Sequence, residues 1–254
     1  MNGDATFSPG APTFEMLRDA ACETHAGRIF WRNLNWKFNK PSYEEWSALV
    51  EDAVLFELGN ICERKNDFHD LDEDALSGVL NVALCSLALD ASGGVFNGNC
   101  DVKIKRDDYV WLGEAKIAGN TSHIHGGYLQ LRNRYASGIP EHNRGGMLIF
   151  CQDEPTDVVM AGWRAALEMI VPNSNPTDHV TSPFAFTSID KAPGTNQPLR
   201  LIHIAFPLFH KPLDPDATLP ADAALASRRA KAAVKKRALA TNPSGVLGAE
   251  NSFS

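Results

Sequence analysis

The chain has 254 residues, of which 44% are hydrophobic and 22% charged, and these values indicate a soluble globular protein with one large domain or two small ones. Its formal net charge of -7 argues against a protein that coats nucleic acid by charge alone, but not against an enzyme that meets phosphates through a metal ion. Five cysteines without a C-x-x-C pair favour a reducing, cytoplasmic environment, and no segment has the length and apolarity that membrane insertion requires.

Helices are predicted along the first third of the chain. Residues 13–27 form the first, and the apolar and aromatic side chains of residues 29–38 are assigned to the core. Ser42 and Glu45 have the spacing of a capping box, and an amphipathic helix follows them. Apolar residues at helical spacing predict a third, mostly buried helix over residues 72–90. Residues 1–70 are therefore expected to be an N-terminal helical region that packs on the core.

The rest of the chain alternates between strands and helices. Gly93 and Gly94 are expected to end the third helix, after which an alternating pattern predicts strands up to residue 117. The later predicted elements are a helix (127–136), a strand (145–150), a helix (158–171) and a strand (199–207). This order predicts a mixed α/β fold.

Residues 213–254 form a separate, Ala-rich tail. Between residues 223 and 241 the tail carries six basic side chains and no acidic one. Such a stretch is either an exposed helix or a loose segment. Its basic side chains either contact nucleic acid or form an ordinary solvated surface.

Two strands joined by a tight turn are predicted between residues 97 and 117. A two-residue turn at residues 107–108 pairs Arg106 with Tyr109. In that register Asp101 lies opposite Glu114. Because facing carboxylates repel each other, a bound cation between them would resolve the conflict.

Lys116 shares a strand face with Glu114, so two acids and one amine are expected to converge. Carboxylates suit Mg²⁺ or Mn²⁺, whose remaining ligands include waters and phosphate oxygens, and a nearby ammonium can hold or deprotonate the attacking water. The pattern therefore favours phosphodiester hydrolysis. The alternative is an exposed hairpin on which charged side chains have no function.

The segment resembles the active-site hairpin of the PD-(D/E)xK nuclease superfamily. Asp101 corresponds to the acid of the first strand, and Glu114 and Lys116 correspond to the acid and lysine of the second. Cys100 stands where the superfamily motif has its proline. The resemblance covers about residues 71–152. It implies a restriction-endonuclease-like fold, a mixed sheet flanked by helices, with a nuclease core over residues 71–212.

The resemblance also implies a further acid on the helix before the hairpin. Glu73 is the first choice because it begins that helix, while Asp72 and Asp74 have the alternative role of complementing the helix dipole. Glu57 on the earlier helix is a second candidate. By the same resemblance, the Ile117 carbonyl joins Asp101, Glu114 and Glu73 as a metal ligand.

The helix after the hairpin is expected to bring polar groups to the substrate. Gln130 is a candidate catalytic residue, and Gln130 and Arg134, four residues apart, are predicted to share a face and to bind the substrate backbone. Tyr135 lies five residues after Gln130, whereas one exonuclease branch has a spacing of four, which weighs against that branch. His123 and His125 are interpreted as surface histidines rather than zinc ligands.

The implied activity is Mg²⁺-dependent hydrolysis, with Mn²⁺ as a second metal and DNA as the favoured substrate, which would leave 5′-phosphate ends. By analogy, the chain would be an endonuclease effector of a prokaryotic antiviral defence system, controlled by a regulatory partner protein. The alternatives are a DNA repair or recombination nuclease and a catalytically idle nucleic-acid-binding subunit. A homo-oligomer is compatible with the sequence.

Overall fold

Two layers of helices enclose a mixed β-sheet in the computed structural model, which describes residues 12–95, 99–135, 137–195 and 197–211. In this part of the chain the sheet has seven strands, in the spatial order first, second, third, fourth, seventh, sixth, fifth. The fourth strand is parallel to the third and to the seventh, and the other pairs are antiparallel. The strands are β1 (Ala91–Val95), β2 (Asn99–Arg106), β3 (Tyr109–Ile117), β4 (Arg144–Cys151), β5 (Thr177–Asp178), β6 (Ala185–Lys191) and β7 (Pro198–Pro207).

The helices precede the sheet and connect its strands. They are α1 (Phe14–Ala21), α2 (His25–Leu34), α3 (Tyr43–Glu63), α4 (Lys65–Phe68), α5 (Glu73–Ser86), α6 (Thr121–Gln130) and α7 (Thr156–Ile170). A π-helical segment, Leu131–Tyr135, continues α6, and short 3₁₀ turns lie at Asn35–Lys37 and Pro140–His142. No helix in the described ranges is long and apolar enough to cross a membrane.

Each face of the sheet has its own hydrophobic core. On one face, α3 and α5 pack on side chains that include Trp111 and Ile204. On the other, α6 and α7 contribute Tyr128 and Trp163. Because β4 is covered on both faces, seven of its eight residues are buried, which explains why its sequence is a continuous apolar run.

The N-terminal helices are joined to the sheet by hydrogen bonds as well as by packing. The Tyr43 hydroxyl donates to the Val110 carbonyl and accepts the Arg144 N–H, both at 3.0 Å. The Trp36 indole donates to Asp107 in the β2–β3 turn at 2.9 Å. By chain contacts, residues 1–210 form one unit and residues 211–254 another, of which only Lys211 lies within the described ranges. The predicted tail therefore lies outside the described residues.

Two N-terminal predictions were wrong in detail. The single helix expected over residues 13–27 is two helices, because the Thr24 side chain accepts the Gly27 N–H and starts a new one. Ile29 and Trp36 are buried as expected. Three other side chains of that segment, which are predicted to lie in the core, are exposed: Phe30, Leu34 and Phe38.

The prediction that Gly93 and Gly94 end the third helix is also wrong. Gly93 and Gly94 lie inside β1, which pairs with β2 through an irregular register at this point, and α5 ends earlier, at Ser86. The helix predicted over residues 127–136 instead begins at Thr121, after Asn120 accepts the His123 N–H as its N-cap. β5 and β6 were not predicted.

Candidate active site

The β2–β3 hairpin opens into a fork at the end remote from its turn. Pairing runs from Arg106 and Tyr109 to Val102 and Gly113, which confirms the predicted register. One position further on, the Asp101 carboxylate accepts the Ala115 N–H at 2.7 Å. At this position the Asp101 side chain, rather than the β2 backbone, is therefore the hydrogen-bond acceptor for β3.

Glu73 fills the next position along the same edge of β3. Asp72 caps α5 by accepting the Ala75 N–H, and this places Glu73 at the first helical residue. Its Oε2 accepts the Ile117 N–H at 3.0 Å. Because N–H groups alternate in direction along a strand, those of Ala115 and Ile117 face the same side, and both are satisfied by carboxylates.

Lys116 lies in the centre of this fork. Its Nζ is 2.8 Å from Glu73 Oε1 and 2.9 Å from Glu114 Oε1, and it also donates to the Ala115 carbonyl at 2.6 Å. The Lys116 side chain is 10% exposed and that of Glu114 is 4% exposed. An ammonium so placed compensates two carboxylates that would otherwise be costly to bury.

The protonation of the fork follows from these contacts. Burial by itself would lower the pKa of Lys116, but hydrogen bonds to Glu73 and Glu114 outweigh it and hold the pKa above its usual value. Burial raises the pKa of Asp101, and the negative charges of Glu73 and Asp74 add to this, although the Ala115 N–H and Lys116 oppose it. Asp74, considered in the sequence mainly for the helix dipole, thus acts electrostatically on the site.

Helix α6 covers the fork. A Cβ on Gly127 would lie 2.7 Å from Lys116 Cγ, so the helix backbone packs directly on the lysine side chain. One turn earlier, His123 Nε2 lies 3.5 Å from Glu73 Oε2. One turn later, the amide oxygen of Gln130 is buried and has no hydrogen-bond partner among the residues that the structure describes. By helical spacing these three residues share one face.

His123 is the neighbour of the site that the sequence did not indicate. It is half-exposed, as a surface histidine would be, but it lies against Glu73. A helix that starts at residue 127, as the sequence predicts, leaves His123 in the preceding loop, where it belongs to no helix face. The Asn120 N-cap was the available signal, because a helix starting there puts His123 one turn before Gly127.

Of the other two predicted residues, Glu57 is not brought to the fork, and the side chain of Arg134 is not described. Glu57 is buried on α3, where it accepts a hydrogen bond from Asn60 rather than meeting Lys116. Arg134 lies in the π-helical segment that continues α6, four residues after Gln130. The side chain of Arg134 lies outside the described part of the structure.

The donor set is suited in kind to a hard divalent cation. Asp101, Glu114 and Glu73 offer carboxylate oxygens, the ligands that Mg²⁺ and Mn²⁺ prefer. They are arranged around Lys116, and within the described residues no group of three or more His, Cys, Asp or Glu is positioned to hold a metal ion. The lysine thus supplies the positive charge of the fork in this structure.

Four of the predicted site residues, Asp101, Glu114, Lys116 and Glu73, lie together, and Gln130 lies on the helix that covers them. Comparison of the chain with protein-family models, with curated proteins and with solved structures gives no match. Chemically, the fork combines carboxylates for a cation with a protonated amine for an anion.

Proposed function

We propose that the chain is a metal-dependent nuclease of the PD-(D/E)xK superfamily that hydrolyses phosphodiester bonds in DNA. The observation that carries this proposal is the position of Lys116, held between Glu73 and Glu114 where Asp101 joins β3. Charge pairs that only stabilise a fold need no fork in a sheet. Here the fork is lined by three acids, and one helix closes over it.

Asp101, Glu114 and Glu73 would hold Mg²⁺ or Mn²⁺ together with the Ile117 carbonyl. That carbonyl accepts the Gly119 N–H at 2.9 Å, and its second lone pair remains for a ligand. When bound, the cation would stabilise charge on the phosphate oxygens and acidify a water. The carboxylates would then exchange the Lys116 ammonium for the cation as their main counter-charge.

Lys116 has the role of a donor in this scheme. Because its pKa is raised by Glu73 and Glu114, it is protonated at neutral pH and does not serve as the base while those contacts last. Its ammonium would hold the attacking water and a phosphate oxygen in line. Attack on phosphorus breaks the bond to the 3′ oxygen, which leaves a 3′-hydroxyl and a 5′-phosphate. Gln130 would contribute its amide to the phosphate.

The test compares the wild type with Asp101→Asn and Glu114→Gln on linear and circular duplex DNA, single-stranded DNA and RNA. Asp108→Asn, in the exposed turn of the same hairpin, is the matched control. We expect the wild type and the control to cleave DNA in Mg²⁺ and not in EDTA, and the two site variants to be at least about 100-fold slower.

Equal cleavage by all four proteins would remove these residues from the active site. If the wild type cleaves no nucleic acid under any of these conditions, the nuclease proposal fails, and the alternative of a catalytically idle nucleic-acid-binding subunit is favoured.

A further inference from the structure

A cavity of about 290 Å³ lies beside the fork, between the first turn of α6 and the first two turns of α7. It opens at the carboxyl ends of β3 and β4, which in a parallel arrangement is the usual side for ligands. Its wall includes Ala118, Asn120, Ile124, Glu154, Val158 and Gly162.

The cavity borders the proposed catalytic centre directly. Ala118 and Gly119 follow Ile117 in the chain, and Gly119 donates its N–H to the Ile117 carbonyl. Consecutive Cα atoms are about 3.8 Å apart, so the Gly119 Cα lies within about 8 Å of the Ile117 Cα. On the α6 side, Asn120 caps the helix that carries His123 to Glu73. A ligand in the cavity would therefore lie next to a phosphate held at the fork.

The lining side chains supply no cation for an anion, and they suit a flat, mostly apolar group. Among the described residues that line the cavity there is no Lys or Arg, and the one charged side chain is the acid Glu154. Ile124, Val158 and their neighbours supply aliphatic walls. Asn120 uses its Oδ1 for the helix cap, which leaves its Nδ2 to donate, while Glu154 is able to accept.

A nucleobase matches these walls. Its faces are apolar, and its edge presents both hydrogen-bond donors and acceptors, as Glu154 and Asn120 require. A cavity of about 150 Å³ holds one benzene-sized ring, so 290 Å³ has room for a one- or two-ring base with part of its sugar.

We propose that this cavity binds an unpaired nucleobase of the substrate strand, adjacent to the phosphate that is cleaved. The inference rests on the proposed nuclease function and specifies its substrate. A base can enter the cavity only when it is unstacked and unpaired, so single strands, loops or frayed ends are the preferred substrates, and intact duplex is cut slowly.

Gly162 allows the cavity to be filled without disturbing the fold. It lies inside α7, and a Cβ built on it has no atom within 4 Å, so a leucine there extends into open space. Leucine also favours a helix more than glycine does. Gly59→Leu is the matched control, because Gly59 lies inside α3, away from the cavity, and also has no atom within 4 Å of a built Cβ.

Binding is measured on the full chain in EDTA, so that it does not depend on cleavage. Fluorescence anisotropy compares the wild type, Gly162→Leu and Gly59→Leu on a labelled single strand, on the same strand as a blunt duplex, and on single strands with one abasic site moved along the sequence. We expect the wild type and Gly59→Leu to prefer the single strand, and Gly162→Leu to bind it roughly tenfold more weakly. At one position along the strand, an abasic site should weaken wild-type binding about as much as the Gly162→Leu substitution weakens binding of the intact strand. In Gly162→Leu the same abasic site should have no further effect.

If Gly162→Leu binds every probe as the wild type does, or if no abasic position matters, the proposal is overturned. If Gly162→Leu weakens the binding of deoxynucleoside monophosphates but leaves oligonucleotide binding unchanged, the cavity binds a free nucleotide. The substrate proposal is then also overturned. Cleavage in Mg²⁺ is scored separately, so loss of the nuclease proposal is distinguishable from loss of this one.

Discussion

Gly127 is the residue on which the geometry around Lys116 depends most closely. A Cβ there would lie 2.7 Å from Lys116 Cγ and 3.1 Å from Met147 Cε, distances that require a shift of the lysine or of α6. Gly126, its neighbour, has no atom within 4 Å of a built Cβ. The pair offers a matched test of how tightly the helix must approach the fork.

Gly127→Ala should lower kcat/KM by at least about tenfold, because small displacements of a positioned group are costly in catalysis. Gly126→Ala should leave the rate unchanged and stabilise the protein by about 1 kcal/mol through helix propensity. Steady-state cleavage and thermal unfolding of both variants measure these effects. Equal rates for the two variants would show that close packing on Lys116 is unimportant.

Glu73 joins two functions, since it accepts the Ile117 N–H and compensates Lys116. Glu73→Gln keeps a hydrogen-bond acceptor of the same size but removes the charge. We expect Mn²⁺ affinity and cleavage to fall about 10- to 100-fold, as measured by calorimetric titration and cleavage rate. Glu63→Gln, an exposed residue at the end of α3, is the control. A Glu73→Gln protein with full metal affinity would remove Glu73 from the ligand set.

At the scale of elements, local sequence was sufficient where one short-range rule decided the structure. Alternation and a two-residue turn predicted the β2–β3 register, and the pairing of Arg106 with Tyr109 confirms it. Ser42 and Glu45 do form the capping box that begins α3. In both cases the interacting residues are at most three positions apart.

Local sequence was insufficient where a distant neighbour decided the structure. Gly93 is predicted from the local sequence to end a helix, yet it lies in β1 because β2 is available to pair with that strand. The helix predicted to start at residue 127 starts at Thr121, so Gly127 lies inside α6, where Lys116 of another element leaves no room for a Cβ. Contacts such as that of His123 with Glu73, 50 positions apart, leave no periodic trace in a sequence.

Helix α7 is attached to the sheet by a buried network that is sensitive to acid. The Trp163 indole donates to His203 Nδ1 at 3.0 Å, so the neutral ring carries its proton on Nε2, which faces Ser188 Oγ at 2.8 Å. Burial lowers the pKa of His203 to about 3. The unfolded chain binds a proton at the ordinary pKa of 6.5, and the folded protein does not.

Stability should therefore fall as the pH drops below about 6.5, and the loss should level off near pH 3. At pH 5 the His203 contribution is about 2 kcal/mol relative to pH 7. His203→Asn, which keeps an acceptor for Trp163, should remove this part of the pH dependence, and His179→Asn should not. Chemical denaturation at pH 7 and pH 5 gives the comparison. An identical pH dependence in wild type and His203→Asn would contradict the assignment.

At the scale of the whole molecule, the acidic balance fits an enzyme that meets its substrate through a cation. The net charge is -7 although six basic residues are concentrated between positions 223 and 241. Truncation after Pro212 should weaken DNA binding at low salt and reduce its salt dependence, because fewer counterions are released. Anisotropy titrations between about 50 and 200 mM salt measure both. Unchanged affinity and slope would exclude the tail from the DNA-binding surface.

If the fork around Lys116 is the catalytic centre, Lys116→Met must cleave DNA more slowly than the wild type in Mg²⁺. Lys105→Met, which removes an exposed lysine from the neighbouring strand β2, is measured beside it, and circular dichroism checks that both variants are folded. We expect folded Lys116→Met to cleave at least about 100-fold more slowly than the wild type, and Lys105→Met to retain most of the activity. Cleavage by folded Lys116→Met at the wild-type rate would show that the fork is not the catalytic centre.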